Sequence, residues 1–314
     1  MIDLVVSIIP YAITYTIPLL AAALGGLFSE RSGVVNIGLE GLMVVGGFGT
    51  ALAVSLLEPL VGNTLALVLG MGAGVLLATL FSVLHAFASV TLNANQVISG
   101  TAINLIASAV TVFVARNITG SGNIRILNFQ PTDLPFLSDI PLLGAFFSRT
   151  YPTTLLALVL LGLSWYVLYK TPFGLRLRAC GENPHAADAA GVNVHKVRYA
   201  GVLLSGAFAG LGGATMLVTY ANEFNGSVAG LGFLSLAALI FGQWKPLGIL
   251  AATAFFGFAM TMANSAQAIP ELRVIPEVVL KIFPYVITLV ALVFFSKTSS
   301  APRAAGEPFD KGQR

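Results

Sequence analysis

Residues 15–41, YTIPLLAAALGGLFSERSGVVNIGLEG, pass from an apolar stretch with a glycine doublet into a polar, glycine-punctuated one. The apolar part belongs to a run over 4–28 that is long enough, at about 1.5 Å rise per residue, to cross a ~30 Å hydrocarbon core as a helix. The part at 29–41, SERSGVVNIGLEG, breaks that run with ionisable and amide groups, which hydrocarbon does not solvate. A chain that alternates such runs and breaks reads as an all-α, polytopic integral membrane bundle.

The rest of the chain repeats the pattern. Of its 314 residues 56% are hydrophobic and only 9% charged, and the mean hydropathy is +0.88; soluble domains carry roughly 25% charged residues. Spanning helices are expected at 4–28, 35–57, 63–91, 97–116, 153–170, 199–220, 229–243, 247–266 and 277–296, about nine in all within a range of 8–10. The seventh is short and the second begins inside the glycine-broken stretch, so both are candidates for discontinuous or re-entrant segments. Asp3 stands where a secretory signal would be basic, and no small-residue cleavage site follows, so the first run is read as a spanning helix.

A net charge of +3 and a pI near 9.1 do not make this a nucleic-acid binder, because the 16 Lys and Arg residues are scattered between apolar segments. They set orientation instead. With the N-terminus outside, eleven of the sixteen fall on inner connections, densest over 171–198, and the positive-inside rule then places the C-terminal tail in the cytoplasm. Residues 1–298 read as one transmembrane domain, and the Pro-, Gly- and Ser-rich tail, 299–314, as disordered. The outer connection 117–152 mixes apolar residues with prolines (Phe129, Pro131, Pro135, Phe136, Pro141, Phe146, Phe147), as in a folded lid on the membrane surface or a plain surface plug.

An internal repeat is also visible. Residues 15–41 have a counterpart in 206–232, GAFAGLGGATMLVTYANEFNGSVAGLG: a glycine-doublet helix, a polar break and a glycine-punctuated helix. Halves of about 10–117 and 199–296, linked by 118–198, would have inverted topology, as transporters do with the substrate path at the repeat interface.

No catalytic constellation is present. The chain lacks a GxxxxGK[ST] phosphate loop, an HExxH pair and a GxSxG elbow. The one cysteine, Cys180, can build neither a disulfide nor a thiolate metal site, and His85, alone in an apolar helix, reads as a hydrogen-bonded core imidazole. What remains is polarity within the spans: Asn36, Glu40, Asn95, Gln96, Ser99 and Asn104, with Glu277 and Lys281 as a charge pair near an interface. Asn36 and Glu40, like Asn95 and Ser99, are four apart and share a helical face. They are candidates for a substrate path, the alternative being interhelical packing. A break near Gly33 or Gly38 would carry Glu40 to the depth such a site needs.

In the inner loop RACGENPHAADAAGVNV (178–194), Gly181 is expected to turn the chain. A short helix then starts near Asn183, with Pro184 in its first position, and ends at Gly191. A peg of this kind suits a soluble partner, or else rests on lipid headgroups.

The GENPHAADAAG loop resembles the cytoplasmic coupling segment of permease subunits in bacterial ATP-binding-cassette importers, in the ribose-sugar, branched-chain amino acid and nucleoside branch. The strings SERSGVVNIGLEGLM (29–43), LNANQVISGTAINLIA (92–107) and GLGFLSLAALIFGQWKPLG (230–248) are similar to the shorter permease of nucleoside importers. The resemblance implies a type II importer architecture in the bacterial inner membrane, with Gly181, Glu182, Asn183, Pro184, Ala187, Ala190 and Gly191 docking an ATPase subunit. It also implies a second, longer permease and an extracytoplasmic solute-binding lipoprotein. The chain itself would hold no cofactor, ATP and Mg being bound by the ATPase, and would be no enzyme. Nucleosides are the expected cargo; a ribose- or galactose-type sugar, or an ion-coupled secondary transporter, are the rivals.

Overall fold

The computed structural model describes residues 2–133, 138, 140, 144–146, 148–265, 278, 279, 282, 286 and 300–312. Among the described residues ten α-helices follow one another: α1 (Ile2–Arg31), α2 (Leu39–Val61), α3 (Asn63–Ala86), α4 (Gln96–Thr119), α5 (Pro152–Lys170), α6 (Pro172–Glu182), α7 (Pro184–Ala189), α8 (Val194–Met216), α9 (Leu231–Phe241) and α10 (Pro246–Ser265). One π-helical turn prolongs α3 to Thr91 and another prolongs α8 to Ala221. Among the described residues seven helices are long and apolar enough to cross a membrane, so the protein is a multi-pass membrane protein.

The expected segment at 229–243 is present as α9. Its eleven residues rise only about 16 Å, half of a hydrocarbon core. The ninth expected segment, 277–296, with Glu277 and Lys281, lies outside the described residues except at four positions. The second segment starts at Leu39 rather than 35, because residues 32–38 are not helical.

α8 is the centre of the bundle, with 78% of its apolar window buried, and α4 is peripheral, with 22%. The packing around α8 is backbone against backbone. A Cβ on Gly46 of α2 would collide with Gly210 of α8, and one on Gly213 of α8 with the Met43 carbonyl. Small residues let helices approach this closely where lipid gives no hydrophobic drive to associate.

One end of the bundle carries Lys170, α6, α7, the start of α8 and the turn before α10; it is called the basic end below. At the other end, strands β1 (Ile124–Arg125) and β2 (Glu223–Phe224) pair antiparallel, and Ile126 and Phe129 are buried beside them. The described part of 117–152 is thus folded onto the bundle, with Phe146 half-exposed; Pro135, Phe136, Pro141 and Phe147 lie outside the described residues.

The tail is not free chain, contrary to its composition. Backbone amides of Ala304 and Gly306 donate to the carbonyls of Gly181 and Gly33, and Arg198 Nη1 donates to the Glu307 carbonyl at 2.8 Å. Phe309, 3% exposed, sits between the rings of His185 and His195, and Lys311 pairs with Asp188 at 3.7 Å. Composition misread it because one aromatic and a few backbone hydrogen bonds are enough to fix a short strap.

Candidate functional site: two interrupted helices meeting at Glu40

The first interruption follows α1. Gly33 takes φ +95°, a left-handed conformation in which a side chain would also strike the Arg198 guanidinium. The chain then runs back into the bundle as Val34–Gly38, where only the Val34 amide, on Ser29, and the Gly38 carbonyl, under Leu42, keep backbone bonds to the flanking helices. At membrane depth no water can serve the remaining groups, so other partners must.

Side chains from α3 and α4 do so. Gln96 Oε1 accepts from the Val35 amide at 2.7 Å, and His85 Nε2 donates to the Val35 carbonyl at 3.2 Å. A carbonyl only accepts, so Nε2 carries a proton, and Nδ1 is hydrogen-bonded to Ser99 Oγ at 2.9 Å. Asn104 closes the far side: its Nδ2 donates to the Ile37 carbonyl at 3.0 Å, and its Oδ1 accepts from the Gly41 amide at 2.8 Å. Asn36 is fully buried, donates to Ser205 Oγ of α8 at 2.9 Å, and turns its own oxygen onto the Gly38 amide.

The second interruption follows α8. Residues 222–230 leave the bundle at β2 and return through three positive-φ positions, Gly226, Ala229 and Gly230, to start α9. The two interruptions meet at Glu40, whose carboxylate accepts from the Gly230 amide at 2.9 Å and the Gly232 amide at 2.7 Å. A carboxylate at this position answers both the free N–H groups and the positive end of α9.

The meeting point lies near mid-membrane by three independent counts. α9 rises about 16 Å from its turn at the basic end to Gly230; Ser205 lies eleven residues, about 17 Å, into α8; and Asn104 lies eight residues, about 12 Å, into α4. One polar interruption therefore enters from the basic end and the other from the opposite end.

Of the six residues singled out in the sequence, five converge here: Asn36, Glu40, Gln96, Ser99 and Asn104. Asn95 is apart and exposed, capping α4 by accepting from the Val97 and Ile98 amides. His85 is the hydrogen-bonded core imidazole expected. Ser205 was missed; a serine in a helix gives no sign of its partner.

At the basic end, Asn183 Oδ1 accepts from the Ala186 amide, Pro184 opens α7, and Gly191 ends the turn at φ +82°, as read from the sequence. Two details differ. Gly181 does not turn the chain: α6 runs through it, because without a Cβ it packs against the Arg31 carbonyl. Ala187 is buried at 5%, whereas Ala190, Glu182 and Asn183 face outward. Burial pushes the Cys180 thiol up to about 11, so this buried cysteine is inert. A further joint binds α1 to the α9–α10 turn: Trp244 Nε1 donates to Glu30 at 2.6 Å, and Arg31 donates to the Trp244 carbonyl.

A multi-pass helical bundle with polar, hydrogen-bonded interruptions of its helices at mid-depth is an arrangement that membrane transporters use. The chain belongs to the family of permease components of branched-chain amino acid transport systems, whose model matches residues 8–292. The guanosine ABC transporter permease protein NupQ of Bacillus subtilis (strain 168) is 45% identical over 98% of this chain and 97% of its own length. The nucleoside ABC transporter permease protein NupC of Lactococcus lactis subsp. cremoris (strain MG1363) is 42% identical, with the same shares. The nucleoside ABC transporter permease protein NupB of that strain is 25% identical over 88% of this chain but 77% of its own, so it is the longer of the two.

Proposed function

We propose that the chain is one of two permease subunits of an ATP-driven nucleoside importer. The observation that carries this reading is the 45% identity to a guanosine permease across nearly the full length. The longer permease would be a homologue of the NupB kind, since one strain holds both a shorter and a longer relative of this chain.

In this reading the N-terminus is outside and the basic end faces the cytoplasm of a bacterial inner membrane. The two interrupted segments are corresponding parts of an inverted repeat, supported by their entry from opposite ends. The belt around Glu40 shapes the translocation path: Asn36 and Gln96 hold the interrupted backbone in place from behind, while the part-exposed Glu40, Ser99 and Asn104, with Asn95 nearer the basic end, offer polar groups to ribose hydroxyls and base edges. Sites here are weak by design, because tight binding in a permease slows release. The chain performs no chemistry of its own. ATP hydrolysis by a partner reaches it through the outward face of α6 and α7, while a solute-binding lipoprotein delivers cargo at the 117–152 end.

The test is uptake of labelled guanosine by cells lacking and regaining the chain, with uridine, adenosine and ribose as competitors. Restored uptake, competed by nucleosides and not by ribose, is the expected result; competition by ribose alone would move the cargo to the sugars. In the same assay Ala190→Glu, on the exposed side of α7, should abolish uptake while the chain still inserts. Full uptake in that variant would remove α7 from the docking surface.

A further inference from the structure

Where α5 ends and α10 begins, at the basic end, the bundle leaves a groove of about 420 Å³ between Trp165, Tyr169 and Lys170 on one side and Lys245, Pro246, Leu247 and Gly248 on the other. Trp165 and Tyr169 are four apart and share the groove face of α5, their ring centroids 6.4 Å apart. The Lys170 ammonium lies 5.7 Å from the Trp165 ring, and the Arg178 guanidinium lies 5.1 Å from the Tyr169 ring. Pro246 opens α10, so the free amides and positive end of that helix add to the charge of Lys245. Among the described residues no carboxylate pairs with Lys170 or Lys245.

In a chain with 9% charged residues, two exposed cations share one groove at the level where lipid headgroups lie. The apolar side is open as well: Leu247 is 68% exposed and Trp165 43%. Aromatic rings at this level mark the interface between headgroups and acyl chains.

We propose that this groove binds an anionic phospholipid, its phosphodiester between Lys170 and Lys245 and its acyl chains along Leu247 and Trp165. The lipid supplies the counter-charge the bundle lacks and ties α5 to α10 beside the joint formed by Glu30, Arg31 and Trp244. Basic pockets between spanning helices recognise headgroups in this way.

The test uses the two tryptophans of the chain. Trp165 lines the groove, whereas Trp244 is 5% exposed and bonded to Glu30, so quenching by brominated acyl chains reports mainly on Trp165. The full chain is reconstituted in phosphatidylcholine vesicles containing brominated phosphatidylglycerol, or in the mirror-image mixture with the bromine on phosphatidylcholine. Phosphatidylglycerol should be preferred by about fivefold per lysine, the equivalent of ~1 kcal/mol each. Lys170→Gln with Lys245→Gln should bring the preference to near unity, and Lys170→Arg with Lys245→Arg should keep most of it. Equal quenching by the two lipids in the unaltered chain, or a preference that survives the glutamine pair, overturns the proposal. Inorganic phosphate added at constant ionic strength should leave the preference intact; if it erases it, the groove is a free-phosphate site and the lipid assignment fails.

Discussion

The break at 32–38 lies among helices except at Gly33, which the tail covers, whereas the break at 222–230 has one flank in the loops at the opposite end, and the two are held by different means. In the first, side chains from other helices meet the Val35 amide and carbonyl and the Ile37 carbonyl (Gln96, His85, Asn104), while Asn36 meets the Gly38 amide and Ser29 the Val34 carbonyl. In the second, the outer flank is met by other backbone, Arg125 and Ile124 pairing with Glu223 and Phe224 and the Ile126 amide donating to the Asn222 carbonyl, and only its inner end, at Gly230, is met by a side chain from another helix, Glu40. Phe224 anchors this flank by packing on Phe48, with ring centroids 5.5 Å apart. The difference follows the solvent. Where water is excluded, every polar group needs a dedicated partner; where it is near, a short strand pair and a few left-handed turns are enough.

The largest effect that would break this contrast is a pair of substitutions. Asn104→Leu strips the partners from both Ile37 and Gly41 and should cost roughly 2–6 kcal/mol, at ~1–3 kcal/mol per buried group left unsatisfied. Arg125→Ala removes an ion pair whose arginine is 87% exposed and should cost below about 1 kcal/mol. Thermal unfolding of the two variants in the same detergent measures both. Equal losses would show that the breaks are not differently built.

A smaller effect tests the point where the breaks touch. Glu40→Gln keeps one acceptor oxygen and turns an amide towards the second N–H, so either Gly230 or Gly232 loses its partner, at a cost of roughly 1–3 kcal/mol. The start of α9 should loosen, and uptake should fall while affinity for the solute-binding protein is unchanged. Wild-type uptake kinetics would mean that the Glu40 cap does not link the two segments in function.

Much of this was legible in the sequence, for a physical reason. Spans declare themselves by length and hydropathy, and α3 with its π turn ends at Thr91 as read. The break was legible because the polar run 29–32, Gly33, Asn36 and Gly38 follow one another in a way that a continuous helix in lipid does not tolerate. The partners were not legible. Asn36 and Glu40 read as neighbours on one face of a helix, yet Asn36 lies in the extended break and turns to Ser205, while Glu40 turns to α9. Helical spacing predicts neighbours only where the helix is continuous. Ala187 and Ala190 look alike in an alanine run, and only the packing of α7 on the bundle buries the first and exposes the second. Arg198 was counted among the inner basic residues, but it is 1% exposed and holds the tail.

The smallest expected effect on the unfolding of the bundle concerns the basic end, where the tail closes over the first break. Ala304 bonds to Gly181, next to Cys180, and Phe309 holds the strap down between His185 and His195. With its thiol pushed up to about 11, Cys180 is about one part in a thousand thiolate at pH 8, whereas an ordinary thiol of pKa ~8.5 is about a quarter ionised there. Maleimide labelling of the folded chain should therefore be slow at pH 8 and rise about tenfold per pH unit below 11, since the thiolate is the reactive form. Phe309→Ala removes the anchor, whose burial contributes about 1.5–3 kcal/mol. If the strap must open before the thiol reacts, labelling should speed up by roughly ten- to a hundredfold at fixed pH, the factor by which the open state gains population. Unfolding of the bundle should hardly shift, because the strap lies outside the helix packing around α8. Labelling equally slow in both chains would show that the bundle alone, and not the tail, shields Cys180, and that the first break is closed at the basic end without it.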